Sequence, residues 1–514
     1  MSGFAPDLFA GARFAVFGLG RNGAPAARAL AAMGAEVVAW DDDAARTTPP
    51  PLAGGGRGEG AAGSGNLPDG PRPCRRALEH PLGKGEADGH TPLHDRPLRP
   101  APSRKGRGGV LLRPLADDPF DFDALILSPG IPHCLPAPHP VAARARAAGV
   151  PILSDAELLF QAVRRAGSRA RFVGITGTNG KSTTTALLAH MLAAAGRAAA
   201  AGGNLGPAAL ALPLLPDDGI YVLEMSSYML ERLATLRFDA AAMLNLSADH
   251  FDRHGDMAGY TRAKRAVFER QTADNLRVIG LDDDDSRAMA ESLRSRPARV
   301  VTVSGCAPAD VWCESGVLRD AAGPILPMAE AAALPGAHNA QNAAAAAAIG
   351  ATLGLTRAEI ARGIASFAGL PHRQQRIACI NGITFVNDSK ATNADAAARA
   401  LGCYPHLVWI AGGIAKEGGI APLASLFPRI AHAMLVGRDA PALAGTLAAA
   451  GVPHEIAGTL DAAVPAAFAA ARDHGVPLVL LSPACASFDQ FAGFDARGER
   501  FTTLVQALAR GVAA

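Results

Sequence analysis

The chain has 514 residues and a formal net charge of only +2, so nothing in the overall charge favours nucleic acid as a partner. Its seven cysteines are scattered and odd in number, and none forms a CxxC pair, which argues against a disulfide framework and a zinc site. No apolar run approaches the ~18 to 20 residues that cross a bilayer, and the N-terminus lacks a basic start before an apolar core, so we expect a cytoplasmic protein of about three domains without membrane insertion.

The first predicted unit is a strand, a glycine loop and a helix. Residues 13–18, RFAVFG, predict the strand; Gly18, Gly20 and Gly23 follow, and an Ala-rich helix comes next. A second strand, AEVVAW, leads to Asp41, so the spacing fits the GxGxxG pattern of dinucleotide-binding folds. These glycines would suit any diphosphate at a helix N-terminus. A UDP-linked substrate, NAD and a purely structural turn therefore all stay open.

Residues 52–109 interrupt the pattern. The segment has 14 Gly and 8 Pro in 58 positions, with ten Lys or Arg and little aliphatic periodicity. This composition predicts a low-complexity insertion within the first domain. A solvated loop, a basic nucleic-acid tether and a mistranslated stretch are the alternatives. The pattern resumes with a strand at 123–127, the loop Ser128–Ile131 (SPGI), a helix around Val141–Ala148 and a short strand, VPILS.

The stretch RFVGITGTNGKSTTT has the order expected of a phosphate-binding loop. The apolar run at 172–175 predicts a buried strand, GTNG forms the turn, and Lys181 and Ser182 precede a helix predicted over Ala186–Ala195. Backbone N–H groups, the helix N-terminus and the lysine would bind phosphate, and the serine hydroxyl would ligate Mg²⁺. The loop is not the ordinary GxxxxGK[ST], because Ile175 replaces the first glycine. A glycine-rich turn beside a chance lysine is the structural alternative.

Polar residues follow the next strands. Glu224 ends IYVLE, and His250 comes shortly after AAMLNLS. Ligands of open parallel sheets gather at the carboxyl ends of strands, so both side chains are predicted beside the phosphate loop. A solvated strand end and a core histidine are the structural alternatives. Lys264 lies on a predicted helix, YTRAKRAVFER, and its surroundings alone indicate an ordinary surface lysine.

The last third of the chain is a separate α/β unit. Its boundary is predicted near the GLPHR segment, where a proline disfavours helix in the residue before it. Strands ITFVN, HLVWIAGG and PLVLLSP are each followed by polar residues, and no second GKST loop occurs. This unit is expected to bind a small polar ligand such as an amino acid. Lys416, Thr392 and Ser487 would hold its carboxylate.

Seven motifs in order resemble the Mur ligase family. They are GTNGKST, GGNLG, YVLEMSSYMLE, LNLSADHFDRH, GAHNAQN, FVNDSKATN and LLSPACASFDQF. The phosphate loop, GGN and HN motifs are shared by the wider superfamily, which includes folylpolyglutamate synthetases. NDSKATN, SPACASFDQF and SPGI are similar to the members that add D-glutamate. The resemblance covers nearly the whole chain except about 52–109, a segment without a counterpart in the family pattern.

The resemblance implies roles for individual residues. The catalytic residues would be Lys181, Lys264, His250 and Glu224. Contacts to ATP would come from Gly177, Thr178, Asn179, Gly180, Lys181, Ser182, Thr183, Asn339, Asn342, Arg373 and Asp388. Mg²⁺ would be held by Ser182, Glu224, His250 and Lys264 as a carbamate. The substrates would be bound by Gly20, Arg21, Asn22, Asp41, Asn204, Lys390, Thr392, Lys416, Ser487, Phe488 and Phe494.

The implied activity is that of an ATP-dependent amide-bond ligase, EC 6.3.2.9. It would add D-glutamate to UDP-N-acetylmuramoyl-L-alanine through an acyl phosphate, in cytoplasmic peptidoglycan precursor synthesis and hence in cell-wall growth and cell division. The expected cofactors are ATP and Mg²⁺, and the expected state is a monomer. The expected fold is α/β in three domains, which are an N-terminal Rossmann-like domain (1–166), a central P-loop ATPase-type parallel sheet (167–371) and a C-terminal Rossmann-like domain (372–514).

Three other functions compete with this expectation. Another superfamily ligase, such as a folylpolyglutamate synthetase, would use the same ATP site with a different acceptor, and the motifs of the last domain argue against it. A catalytically silent nucleotide-binding regulator would not need to keep Glu224, His250 and Lys264. An NAD oxidoreductase would need a second catalytic constellation near Gly18–Gly23, and the sequence contains none.

Overall fold

A computed structural model describes residues 3–47, 109–115 and 118–513. The predicted insertion therefore lies outside the described residues, apart from Gly109. The chain divides into two compact units: residues 1–178, 197–277 and 295–299 form unit 1, and residues 179–196, 278–294 and 300–514 form unit 2. The three predicted domain ranges stay a prediction, although each contains the strands of one of the three sheets.

The N-terminal sheet has five parallel strands in the order β3-β2-β1-β4-β5. Its central strands are buried because their side chains are almost all apolar, and Ala15, Phe17, Val38 and Leu125 lie in its core. The strands are β1 (Arg13–Phe17), β2 (Glu36–Trp40), β3 (Gly109–Leu112), β4 (Ala124–Leu127) and β5 (Ile152–Leu153). The helices are α1 (Gly23–Ala32), α2 (Ala44–Thr47), α3 (Pro140–Ala147) and α4 (Asp155–Arg165).

Strands β6 to β14 belong to a nine-stranded sheet. In unit 1, β7, β8, β6 and β9 lie side by side and are parallel, and in unit 2, β12, β13 and β14 are antiparallel. The strands are β6 (Arg171–Thr176), β7 (Ala199–Gly203), β8 (Ile220–Glu224), β9 (Ala240–Met243), β10 (Leu276–Gly280), β11 (Arg299–Ser304), β12 (Val311–Glu314), β13 (Val317–Asp320) and β14 (Gly323–Pro327). The helices are α5 (Lys181–Ala194), α6 (Ser227–Leu230), α7 (Phe251–His254), α8 (Met257–Arg265), α9 (Asp284–Leu293), α10 (Ala337–Thr352) and α11 (Arg357–Ala365).

Helix α10 shows how composition decides burial in unit 2. Its AHNAQNAAAAAAIGAT sequence is small and apolar on nearly every face, and twelve of its residues are buried. It packs against α5, the helix that follows the phosphate loop. The small side chains allow a close approach of the two helices, so the start of α5 is held by packing as well as by the loop before it.

The C-terminal sheet has six strands in the order β15-β16-β20-β17-β18-β19, with β15 antiparallel to its neighbour and the others parallel. Trp409 and Leu480 lie fully buried in its core. The strands are β15 (Gln375–Ile380), β16 (Ile383–Asn387), β17 (Leu407–Gly412), β18 (Ile430–Val436), β19 (His454–Gly458) and β20 (Leu478–Leu481). The helices are α12 (Ala394–Leu401), α13 (Ala440–Ala449), α14 (Leu460–Asp473) and α15 (Phe494–Ala513).

The expected mixed α/β class with mainly parallel sheets is confirmed. Three first-domain elements were not predicted: α2, β3 and α4. Strand β3 begins at the last residue of the segment treated as low-complexity, and all four of its residues are exposed. The only sequence signal for this strand is therefore the short apolar run at 110–112. Helix α4 had a clear signal, because Ser154 precedes it and its hydroxyl accepts the backbone N–H of Glu157. Among the described helices, none is long and apolar enough to span a membrane.

Candidate active site

The N-terminal glycine loop borders a cavity of about 480 Å³ in unit 1. Gly23 permits this turn, since a Cβ there would lie 1.9 Å from the carbonyl oxygen of Gly18. Three predicted residues of the loop, Gly20, Arg21 and Asn22, line the cavity, as do Asp41 and Asn204. The structure therefore brings together the five residues predicted to bind the nucleotide-linked substrate.

Asp41 also fastens the loop that it borders. Its carboxylate accepts the backbone N–H of Leu19 at 2.6 Å and of Asp43 at 2.8 Å, and it lies 3.3 Å from the Arg46 guanidinium. Burial alone would raise the pKa of Asp41, but the hydrogen bonds from Asp43, Leu19 and Arg46 outweigh it and lower the pKa below its usual value. Asp41 is therefore a carboxylate at neutral pH, with a structural task inside the loop.

Sequence reasoning missed several residues of this cavity. Asp42, Arg46 and His139 line it together with the loop at 128–132. His139 Nε2 lies 3.0 Å from Asp42 Oδ2, and the His139 ring is 4.5 Å from the ring of Phe17. The SPGI motif was the available signal for the loop. Nothing in the sequence around His139 separates it from an ordinary helix cap, which it also is.

Glu224 is held by one carboxylate oxygen only. It is 2% exposed, and Oε1 accepts a hydrogen bond of 2.7 Å from Asn204 Nδ2. Oε2 is buried and has no hydrogen-bond partner among the described residues. Buried polar atoms are nearly always partnered, so an open carboxylate oxygen suits a cation as its missing partner. The predicted metal ligand thus has one oxygen fixed and one available.

Lys264 lies beneath the phosphate loop. It is 2% exposed, and Nζ donates a hydrogen bond of 2.7 Å to the Gly177 carbonyl oxygen. It also lies 4.7 Å from the centre of the Tyr260 ring, whose hydroxyl is 3.2 Å from Thr178 Oγ1. The surface position suggested by the surrounding sequence alone is therefore wrong. Helix α8 turns this lysine inward because Tyr260 and Lys264 are four residues apart on one face.

His250 stands at the start of α7 in a strained backbone conformation. Its φ of 55° and ψ of 32° are in the left-handed region, which is uncommon for residues other than glycine. The side chain is 46% exposed, and its ring lies 5.2 Å from that of Tyr228. Strain of this kind persists at sites where the position of a side chain matters. Among the described residues, no group of three His, Cys, Asp or Glu side chains forms a metal cluster by itself.

The second part of the phosphate loop begins unit 2, where Gly180, in the left-handed conformation with φ of 84°, ends the loop and α5 starts at Lys181. Asn179 Nδ2 donates to Asp395 Oδ2 at 2.9 Å. Ser182 is 6% exposed, and its hydroxyl accepts a hydrogen bond of 2.8 Å from Arg373. The structure thus brings two predicted ATP-site residues, Ser182 and Arg373, into direct contact across 191 positions of sequence.

A chain of amides continues from α5 into α10. Thr184 Oγ1 donates to Asn342 Oδ1 at 3.2 Å, Asn342 Nδ2 donates to Asn339 Oδ1 at 3.1 Å, and Asn339 Nδ2 donates to the Pro335 carbonyl at 2.8 Å. The two predicted asparagines are therefore neighbours, and both are buried. Thr184 is a further residue of this network that the motif alone did not single out.

Asp388 is a buried acid whose carboxylate interacts with Ser482, the Gln374 backbone and the charge of Arg373. Burial raises its pKa to about 7, although hydrogen bonds from Ser482 and from the Gln374 backbone, and the charge of Arg373, act in the opposite direction. The Ser482 bond measures 2.8 Å. A carboxyl group with this pKa exchanges its proton near neutral pH, so Asp388 can be either a hydrogen-bond donor or an anion there.

The predicted amino-acid pocket is less assembled than the other regions. Lys390 Nζ lies 3.8 Å from the centre of the Phe494 ring. Ser487 is buried, whereas Lys416 is exposed and Phe488 is 72% exposed. Thr392 is half-buried. Of these six predicted residues, Lys390 and Phe494 form the contact that the described structure brings together most clearly.

Comparison with known proteins places these features in context. The family description "Mur ligase middle domain" matches residues 175–350. The chain is 45% identical to the UDP-N-acetylmuramoylalanine--D-glutamate ligase of Paramagnetospirillum magneticum, with 99% of each chain covered. It is 41% identical to the enzyme of the same name from Caulobacter vibrioides, covering 97% of this chain and 96% of the relative.

Solved structures share the fold at low sequence identity. MurC from Thermotoga maritima, a UDP-N-acetylmuramate-alanine ligase, has a TM-score of 0.54 at 16% identity and covers 96% of this chain and 99% of its own. MurF from Acinetobacter baumannii has a TM-score of 0.52 at 19% identity and covers 68% of this chain and 80% of its own. At these identities the likeness concerns the fold alone.

Proposed function

The chain belongs to the UDP-N-acetylmuramoylalanine--D-glutamate ligases of the Mur ligase family, and from this premise we propose that it joins D-glutamate to UDP-N-acetylmuramoyl-L-alanine while ATP is converted to ADP and phosphate. The observation that carries the chemistry is Glu224, a buried carboxylate with one oxygen fixed by Asn204 and the other without a partner among the described residues. A merely structural acid would have both oxygens satisfied.

The reaction must make an amide from a carboxylate, which is anionic and lacks a good leaving group. A carboxylate oxygen of the L-alanyl group attacks the γ-phosphorus of ATP, and ADP leaves. The amine of D-glutamate, after loss of a proton, attacks the resulting acyl phosphate, and inorganic phosphate leaves as the amide forms. The protein supplies positioning and charge neutralisation, since the two reactants of the first step are both anions.

The phosphate loop and the start of α5 would bind the ATP phosphates. Backbone N–H groups of the loop and the positive end of the α5 dipole favour an anion there, and Lys181 adds a full positive charge. Arg373 donates a hydrogen bond to the Ser182 hydroxyl and so adds a second positive charge beside Lys181 at the start of α5. This combination supports ATP as the phosphoryl donor.

The donor groups also fit Mg²⁺, which prefers oxygen ligands and keeps several waters. In unit 1, Glu224 Oε2 and His250 are the groups that we assign to it, with Lys264 joining them if its amine carries a carbamate; the role of the Ser182 hydroxyl stays a prediction from the family resemblance. When bound, the cation would neutralise negative charge on the phosphates and the carboxylate. Lys264 is unusual among lysines in being 2% exposed, and conversion of its amine to a carbamate would replace a buried cation by an anion.

The 480 Å³ cavity in unit 1 is where we place the nucleotide-linked substrate. Its volume lies within the range of small-molecule sites. Backbone N–H groups of the glycine loop suit the diphosphate, and Asp41 offers carboxylate oxygens to hydroxyl groups. The same features would suit NAD, and the family membership is what favours the UDP-linked substrate over it.

The acceptor site is assigned to the C-terminal sheet. Lys390, Thr392, Lys416 and Ser487 supply the cation and hydroxyl groups that the carboxylates of D-glutamate need. Phe488 and Phe494 would border it. Domain limits near 166 and 371, a monomeric state and a cytoplasmic location in peptidoglycan precursor synthesis complete the proposal.

The experiment that tests the proposal measures phosphate release from ATP and Mg²⁺ in the presence of UDP-N-acetylmuramoyl-L-alanine while the amino acid is varied. We expect release with D-glutamate and none with L-glutamate or L-lysine. Release that does not depend on the amino acid would contradict the acceptor assignment and keep the ATP site. A folded protein that binds ATP and releases no phosphate would instead be a silent regulator.

A further inference from the structure

Two arginines hold the loop at 128–133 that forms one wall of the substrate cavity. Arg232 donates to the carbonyl oxygens of Leu127 at 2.7 Å, Ser128 at 3.1 Å and Ile131 at 2.7 Å. Arg253 donates to the carbonyl oxygens of Gly130 at 2.8 Å and Ile131 at 3.2 Å. Both arginines come from elements more than 90 residues further along the chain, so this wall is positioned from outside its own sheet.

Arg232 is the fixed member of this pair. It is 2% exposed, and its guanidinium also lies 3.4 Å from His133 Nδ1. Burial, followed by the charge of Arg232, lowers the pKa of His133 to about 3, so the imidazole is neutral and accepts this hydrogen bond. The base of the loop is therefore held by a planar cation whose donors match several carbonyl oxygens at once.

Arg253 is the arginine of this pair that lies close to His250, the proposed metal ligand. It lies in the single turn of α7, three residues after His250, which begins that turn. The Arg253 guanidinium carbon is 4.4 Å from the centre of the Tyr228 ring, and the His250 ring is 5.2 Å from the same ring. His254, at the end of the turn, is buried and contacts the Ser227 hydroxyl at 2.9 Å. The short helix is thus clamped at its far end, while Arg253 joins it to the cavity wall.

The other metal ligand has a parallel connection to the same cavity. Asn204 lines the cavity and donates to Glu224 Oε1, and its backbone N–H also donates to the Glu224 carbonyl oxygen at 2.9 Å. Each of the two ligands in unit 1 is therefore linked to the cavity wall through one polar residue. For Glu224 the link is Asn204, already predicted as a substrate contact; for His250 it is Arg253, which no sequence pattern singled out.

We infer that Arg253 is a positioning residue that couples binding of the nucleotide-linked substrate to the metal site by fixing His250 relative to the loop at Gly130 and Ile131. The inference rests on the proposed function for the identity of the two ligands. A substrate that orders this loop also orders the carbonyl oxygens to which Arg253 is bonded, and with them the one-turn helix that carries His250. The bound substrate then strengthens binding of the magnesium nucleotide. By thermodynamic linkage, the magnesium nucleotide must strengthen binding of the substrate by the same factor.

The test compares the wild-type protein with Arg253→Ala and Arg253→Lys. Isothermal titration calorimetry measures the affinity for UDP-N-acetylmuramoyl-L-alanine without and with Mg²⁺ and a non-hydrolysable ATP analogue. For the wild type we expect the affinity to rise about fivefold or more with the magnesium nucleotide. For Arg253→Ala we expect this ratio to fall close to one. Arg253→Lys keeps one donor for the Gly130 carbonyl and should retain part of the effect.

The matched control is Arg169→Ala, which removes an exposed arginine of unit 1 that pairs with Asp217 away from the cavity. Its ratio should equal that of the wild type. Thermal unfolding separates lost coupling from lost structure; if Arg253→Ala does not fold, the ratio of Arg253→Lys decides, and an unchanged ratio there overturns the inference.

Two further outcomes separate this inference from the proposed function. If the wild type binds both ligands without any mutual effect, or if Arg253→Ala keeps the full ratio, the coupling through Arg253 is wrong and the ligase assignment stands. If the wild type does not bind the UDP-linked substrate at all, the proposed function itself fails, and the inference fails with it.

Discussion

The groups around the first half of the phosphate loop and those of the predicted amino-acid pocket differ in how far the chain itself holds them. Glu224 and Lys264 are each 2% exposed and hydrogen-bonded to a neighbouring loop. In the C-terminal sheet, Lys416 is exposed and Phe488 is 72% exposed. Phosphoryl transfer needs charges that are in place before the reaction, because reorienting them during the reaction costs rate. In the amino-acid pocket, by contrast, the carboxylates of the bound amino acid would themselves be the partners of side chains, such as Lys416, that are exposed without it.

The largest effect should follow from removing the charge at the loop. Lys181→Ala is expected to reduce turnover about a thousandfold, since a single preorganised group contributes ~3 to 4 kcal/mol to the transition state. Rates of phosphate release at saturating ATP measure this loss, and Arg169→Ala serves as the exposed control. A turnover within tenfold of the wild type would mean that the charges at the phosphate loop are not preorganised for phosphoryl transfer.

The next largest effect should come from Lys264. Lys264→Ala is expected to lower turnover on the order of a hundredfold, because a ligand of the metal site would be lost. If the lysine acts as a carbamate, a short carboxylic acid in the buffer should restore part of the rate. Arg262→Ala, an exposed arginine on the same helix, is the matched control and should be neither impaired nor stimulated by acid. Failure of every acid to stimulate a folded Lys264→Ala protein would argue against the carbamate.

Lys181 and Lys264 differ in how well their positions could be predicted from the sequence. The strands and glycine loops were predictable because apolar runs of four to six residues end in glycine or polar residues, as at Arg171–Thr176 and Ile383–Asn387. Strand β3 and the β12–β14 meander were missed, since their runs are short and their side chains are mostly not fully buried. Pattern alone cannot find a contact between distant positions. The inward position of Lys264 and the reach of Arg253 to Gly130 depend on tertiary packing.

A buried acid that contacts Asn22, one of the residues lining the substrate cavity, gives a prediction for stability. Asp155 accepts the Ala209 backbone N–H at 2.8 Å and has Asn22 Nδ2 at 3.5 Å, and burial raises its pKa to about 6 from an ordinary value of 3.8. Because the pKa is higher in the folded protein, the stability contributed by protonated Asp155 is fully present below about pH 4 and is lost as the pH rises through about 6. Asp155→Asn should remove this dependence.

Denaturant unfolding at pH 4.5 and 7.5 measures that change. Relative to the wild type, Asp155→Asn should gain about 2 kcal/mol in the free energy of unfolding between the two pH values, because part of this stability is already lost at pH 4.5. Asp473→Asn, at an exposed helix end, is the control and should show no such gain. Equal differences at both pH values would mean that the pKa of Asp155 is not raised in the folded protein.

The smallest effect is expected in the open region, and it tests the other side of the comparison. Lys416→Ala should raise the KM for D-glutamate about fivefold, because an exposed lysine contributes roughly 1 kcal/mol to a charged partner that is still in contact with water. The KM for ATP and the rate at saturating D-glutamate should change little, since the contacts described for the phosphate loop and the start of α5 come from other residues, among them Lys264, Asp395 and Arg373. Arg472→Ala, an exposed arginine of α14 beside Asp473, is the control. A loss of turnover as large as that of Lys181→Ala would mean that Lys416 belongs to the preorganised machinery, and that its exposure in the free protein does not reflect its place during the reaction.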